Sequence, residues 1–89
     1  MTEEKHYVYI LECGDGSYYT GWTTHLDERV AKHASGHGAK YTRSHLPVQL
    51  VYWECFSDKS GALKRECAIK ALTRTEKQKL IMTQKKDSL

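Results

Sequence analysis

Two kinds of hydrophobic pattern alternate along the chain. His6 to Cys13 (HYVYILEC) and Tyr18 to Thr24 (YYTGWTT) are short runs of aromatic and β-branched residues divided by Gly14-Asp15-Gly16-Ser17, which predicts two antiparallel strands around a turn. Leu26, Val30 and Ala34 then recur at helical spacing until Gly36 and Gly38 stop the pattern, and Thr24 with Asp27 three positions on offers an N-cap. A first helix is expected there. Val48 to Phe56 (VQLVYWECF) reads as a third strand, either at the sheet centre or paired with the first. Ser57-Asp58 opens a second helix with Ala62, Leu63, Ile69 and Leu72 toward the core. Thr73-Arg74-Thr75-Glu76 is a capping box that starts a third, carrying Leu80 and Ile81, before the polar tail from Thr83 frays. The fold class predicted is α+β, a small three-stranded antiparallel sheet with about three flanking helices.

The turn length decides which side chains meet. A two-residue turn at Asp15-Gly16 places Tyr9 opposite Trp22 and puts Tyr19 on the other face. A three-residue loop with Gly16 left-handed in a bulge pairs Cys13 with Ser17 and Tyr9 with Gly21, so that Tyr9 and Tyr19 lie diagonally on one face. The bulge-forming Asp-Gly favours the second register. It leaves an open space across from Tyr9, since Gly21 has no side chain.

Composition narrows the picture. Eighty-nine residues make one domain that buries roughly 60 to 65% of its unfolded surface. We divide the chain into a flexible N-terminus (1–5), one domain (6–82) and a polar C-terminal tail (83–89). The net charge of +3 gives a mild bias toward polyanions. Three cysteines, Cys13, Cys55 and Cys67, with no CxxC spacing, and an N-terminus without a charged-then-apolar segment point to a reduced, cytoplasmic setting. No apolar run approaches the roughly 18 residues of a membrane span.

Some residues ask for chemistry. Arg29 and His33 are four apart and project from one helical face. Glu66 falls on or beside the apolar stripe of the second helix, where an unpaired carboxylate is costly and must be compensated. The stretch from Gly36 to Pro47 mixes His37, Lys40, Tyr41, Arg43 and His45 and reads as a basic loop. His33-x-x-x-His37 lacks the paired cysteines of a zinc site, and Gly36 to Lys40 lacks the Walker pattern.

Val8-Tyr9, Tyr19-Thr20-Gly21, Arg29 eight residues after that glycine, His33 one turn later and Lys64-Arg65-Glu66 in a later helix together resemble the GIY-YIG nuclease superfamily, especially its small stand-alone bacterial members, over about residues 6 to 82. The resemblance implies metal-dependent cleavage of a nucleic-acid phosphodiester. It assigns Tyr9 and Tyr19 to the two motif tyrosines, Arg29 to the family arginine, His33 to the His or Tyr after it, and Glu66 to the metal-holding carboxylate. Tyr7 replaces the first glycine, Thr20 the usual aliphatic residue, and Trp22 stands where some repair-nuclease members have lysine.

These residue types suit the reaction. Mg²⁺ or Mn²⁺ binds through one or two carboxylates plus waters and substrate phosphate, so Glu66 alone suffices as metal ligand; the competing reading pairs it with Arg29 or Lys70 for structural reasons. Arg29 offers planar donors that match phosphate oxygens and keep their charge. A tyrosine with a pKa of about 10 is ionised only to roughly one part in a thousand at neutral pH, so it either has its pKa lowered or positions water without deprotonating it. The repair-nuclease resemblance favours Tyr19 at the water, with Tyr9 orienting. Lys40, Tyr41 and Arg43 are expected to contact the nucleic-acid backbone and stack a base, and Lys64 and Arg65 to extend the basic surface. The predicted partner is nucleic acid, DNA before RNA; the alternative is a binding module with the same fold and little chemistry.

Overall fold

The computed structural model describes residues 4–87. Residues 1–3 of the expected flexible start and 88–89 of the expected tail lie outside the described residues.

Three strands form one antiparallel sheet in the order β2-β1-β3, with β1 His6–Cys13, β2 Tyr18–Thr23 and β3 Val48–Phe56. The first strand is therefore central and the third is an edge. The hairpin takes the three-residue register: Tyr9 faces Gly21 and Leu11 faces Tyr19. Gly16 carries the positive φ of 85° that the bulge requires, and its amide bonds the Cys13 carbonyl at 2.9 Å.

Alternation along β1 divides the protein into two layers. Val8 and Ile10, fully buried, point to one face and pack with Tyr52, Ala62, Ile69 and Ile81. These last three come from helices α3 (Lys59–Lys70) and α4 (Arg74–Asp87). Tyr9 and Leu11 point the other way, where α1 (Leu26–Ala34) and the one-turn helix α2 (Lys40–Arg43) lie. The expected basic loop thus contains a short fourth helix.

Helix ends follow local chemistry, with two corrections. Asp58 caps α3 by accepting from the Gly61 amide at 3.2 Å. Thr73 and Glu76 form the reciprocal capping box of α4, at 2.8 and 3.2 Å. Thr24 does not cap α1: His25 holds that position with no side-chain bond, and Thr23 Oγ1 accepts from the His25 amide instead. Leu63 is exposed rather than in the core, as is Ala34. Helix α4 continues to Asp87, past the expected fraying point at Thr83.

The outer edge of β3 is capped at Trp53 from α4. The Gln84 amide accepts from the Trp53 N–H at 3.2 Å and donates to its carbonyl at 2.7 Å, satisfying backbone groups that would otherwise pair with another strand.

Candidate nuclease site

The site is built around a buried tyrosine. Tyr9, 1% exposed, sends its ring over β2 at Gly21, where an added Cβ would fall 2.5 Å from the hydroxyl and 2.7 Å from Cζ. The space opposite Tyr9 is therefore not open, contrary to the expectation from the sequence. The tyrosine's own ring fills it, and glycine is needed because the phenol crosses the strand there.

Beyond the strand the Tyr9 hydroxyl meets His33 Nε2 at 3.0 Å, while Nδ1 of the same ring lies 2.8 Å from Thr42 Oγ1. His33 is 1% exposed. Gly36, with φ of 84°, ends α1 and turns the chain back. Gly38 then packs against the imidazole so closely that a Cβ would collide with it, which brings Thr42 underneath the ring. Tyr19 packs on His33 from the other side, with ring centroids 5.2 Å apart.

Electrostatics brings in the two charged residues. Burial pushes the Tyr9 phenol well above its ordinary pKa; Tyr19 adds to this, Arg29 opposes it and Glu66 adds to it. Burial pushes His33 below its ordinary value, and the charges of Arg29 and Lys32 lower it further. Arg29 belongs to α1 on Tyr9's own layer, and Glu66 to α3 on the opposite one. Charges from both layers thus act on one phenol. At neutral pH the result is a protonated phenol bonded to a neutral imidazole.

Glu66 is half-buried and paired with Lys70 at 3.3 Å. Among the described residues no group of three His, Cys, Asp or Glu side chains gathers into a metal cage. A single carboxylate completed by water and substrate phosphate remains compatible with a hard divalent cation. Beside Arg29 a cleft of about 210 Å³ runs between α1 and the end of β2, lined by Trp22, Thr24, His25, Glu28 and Lys32 among others.

The predicted nucleic-acid contacts divide. Lys40 and Arg43 are exposed on α2, and Lys64 on α3. Tyr41 is exposed, but its ring is not a bare platform: it stacks on His45 at 4.2 Å and 13° and on Tyr19 at 6.1 Å and 21°. Arg65 departs from expectation. Its guanidinium is engaged by Glu54 through bonds of 2.9 and 3.1 Å from Nε and 2.9 Å from Nη2, and the Tyr52 hydroxyl donates to the same carboxylate. Burial alone would raise the Glu54 carboxyl, but Arg65 and then Tyr52 hold it below the usual range. Burial and that carboxylate push the Tyr52 phenol up to about 12. Arg65 is thus a bolt between α3 and β3, not a free phosphate contact.

Thr42 and the Tyr52-Glu54-Arg65 group were missed from the sequence. Thr42 sits in a polar stretch too short for periodicity to mark it as buried, and only the back-turn at Gly36 and Gly38 hinted that this stretch returns to α1.

With this geometry in place, the GIY-YIG catalytic domain family matches residues 5–80. The chain belongs to the GIY-YIG family. That is a family of nucleases. Similar chains include a UPF0213 protein of Haloquadratum walsbyi, 59% identical over 77 residues, covering 86% of each chain. A UPF0213 protein of Staphylococcus saprophyticus is 55% identical, over 88% of this chain and 95% of that one. A solution structure of the Bacillus halodurans UPF0213 protein is 52% identical with a TM-score of 0.59, covering 89% of this chain and 84% of that one. An E. faecalis protein is 44% identical with a TM-score of 0.62, covering 92% and 88%. Among the described residues no helix is long and apolar enough to cross a membrane.

Proposed function

We propose that this GIY-YIG domain is a divalent-metal-dependent endonuclease that hydrolyses phosphodiester bonds, acting on DNA in preference to RNA and reading shape or single-strandedness more than sequence. The observation that carries the reading is the match to the GIY-YIG catalytic domain over residues 5–80, together with the convergence of Tyr9 and Tyr19 on His33, one helical turn after Arg29 on α1. Arg29 clamps the phosphate oxygens. Glu66 holds Mg²⁺ or Mn²⁺, which when bound neutralises charge on the phosphate and leaving oxygens. Tyr19, which makes no hydrogen bond through its hydroxyl among the described residues, is the phenol at the attacking water; Tyr9, whose proton is engaged by His33, orients it. Lys40 and Arg43 on α2, with Lys64 on α3, contact the backbone of the bound strand. A domain of this size has little surface for reading base edges. The three free thiols, Cys13, Cys55 and Cys67, support a cytoplasmic setting.

One specific observation favours a second reading, a binding module of weak chemistry: Glu66 is held by Lys70, and a cation must displace that ammonium. The deciding experiment incubates the protein with labelled single-stranded, duplex and branched DNA and RNA, with Mg²⁺, Mn²⁺ or chelator. Metal-dependent cleavage lost in Glu66→Ala supports the nuclease. Salt-sensitive binding without cleavage under every condition supports the module.

A further inference from the structure

Thr42 is fully buried, and its Oγ1 stands 2.8 Å from His33 Nδ1 and 3.0 Å from the Ala39 carbonyl oxygen. A carbonyl only accepts, so the single hydroxyl proton goes to Ala39; without it two oxygens would oppose lone pairs at that distance. Thr42 Oγ1 is then left as an acceptor, and His33 Nδ1 must carry the ring proton. The Ala39 amide also faces Nδ1, but at 3.4 Å it is longer than an ordinary N–H bond, and the shorter contact decides. In a neutral imidazole the other nitrogen keeps a lone pair. Nε2 therefore accepts from the Tyr9 hydroxyl at 3.0 Å.

We propose that Thr42 is a positioning residue for the hydrolysis: by accepting from Nδ1 it holds His33 in one tautomer. This turns the Tyr9 O–H toward the imidazole and leaves the phenol oxygen an acceptor toward the rest of the site. The opposite tautomer would donate from Nε2 to Tyr9 and free the phenol proton for a phosphate oxygen, giving the same residue a different task. The close packing of Gly38 on the imidazole opposes reorientation of the ring. The effect on rate rests on the nuclease reading; the direction of the hydrogen bonds does not.

Long-range ¹H–¹⁵N spectra of the labelled full chain test the inference. In the wild type, Nδ1 of His33 is expected to bear the proton and Nε2 to be bare. Thr42→Val, which keeps the shape and removes the acceptor, is expected to shift the ring toward the Nε2-protonated form, and Thr42→Ser to restore it. Cleavage should fall about tenfold in Thr42→Val and recover in Thr42→Ser, a part of what positioned proton handling contributes. A wild-type ring protonated at Nε2, or one whose tautomer is unmoved by Thr42→Val, overturns the proposal. Should Thr42→Val not fold, the wild-type and Thr42→Ser spectra decide alone. Absence of cleavage by the wild type would defeat the nuclease reading and leave the spectra to judge Thr42.

Discussion

The hydroxyl of Tyr9 and Nε2 of His33 are 3.0 Å apart across 24 residues of sequence, both fully buried, and this bond ties the central strand to the helix that carries Arg29. Removing the hydroxyl leaves a buried nitrogen without a partner, which costs about 1–3 kcal/mol. Tyr9→Phe should therefore lower the unfolding free energy by that amount in urea titrations. Tyr19→Phe loses no hydrogen bond among the described residues, so it should change stability by less than about 0.5 kcal/mol and yet remove most cleavage.

Gly21→Ala should destabilise the protein by about 1–3 kcal/mol, because the added methyl group overlaps the Tyr9 ring and His33 prevents that ring from moving aside. Activity should fall with it. Thermal melts of Gly21→Ala against Gly21→Ala/Tyr9→Phe check the cause: the second change should cost less in the alanine background than in the wild type.

Arg65 and Lys40 should separate stability from binding. Arg65→Gln breaks a half-exposed bidentate pair with Glu54 and should cost about 1 kcal/mol, solvent screening having reduced the value. It should leave the salt dependence of nucleic-acid binding unchanged. Lys40→Ala should leave stability alone and reduce the slope of log affinity against log salt by about one. A reduced slope in Arg65→Gln would mean that its guanidinium leaves Glu54 to meet phosphate.

The pH dependence follows from His33. Its folded pKa lies below the unfolded value of about 6.5, so the unfolded state binds more protons as the medium is acidified. The His33 contribution to stability should be level above about pH 7.5 and decline as pH falls through 6.5, by at most about 1.4 kcal/mol per pH unit, until the folded group itself protonates. His33→Gln should flatten that decline in urea titrations between about pH 7.5 and 5.5.

The sequence by itself determined the three strands, the three longer helices and the hairpin register. Period-two runs, a glycine able to take positive φ at residue 16, and capping residues at Asp58 and Thr73 act through neighbours within a few positions, and such local rules survive without knowledge of the fold. The motif residues were legible for the same reason, as types at set spacings. Tertiary structure decided what each does. Only packing brings Thr42 under His33, gives Arg65 to Glu54, fills the gap at Gly21 with a phenol and sets Tyr41 between two rings. Those pairings join residues far apart in sequence, and their free energies depend on burial and on which donor is left for which acceptor, quantities that exist only once the two layers have closed on the sheet.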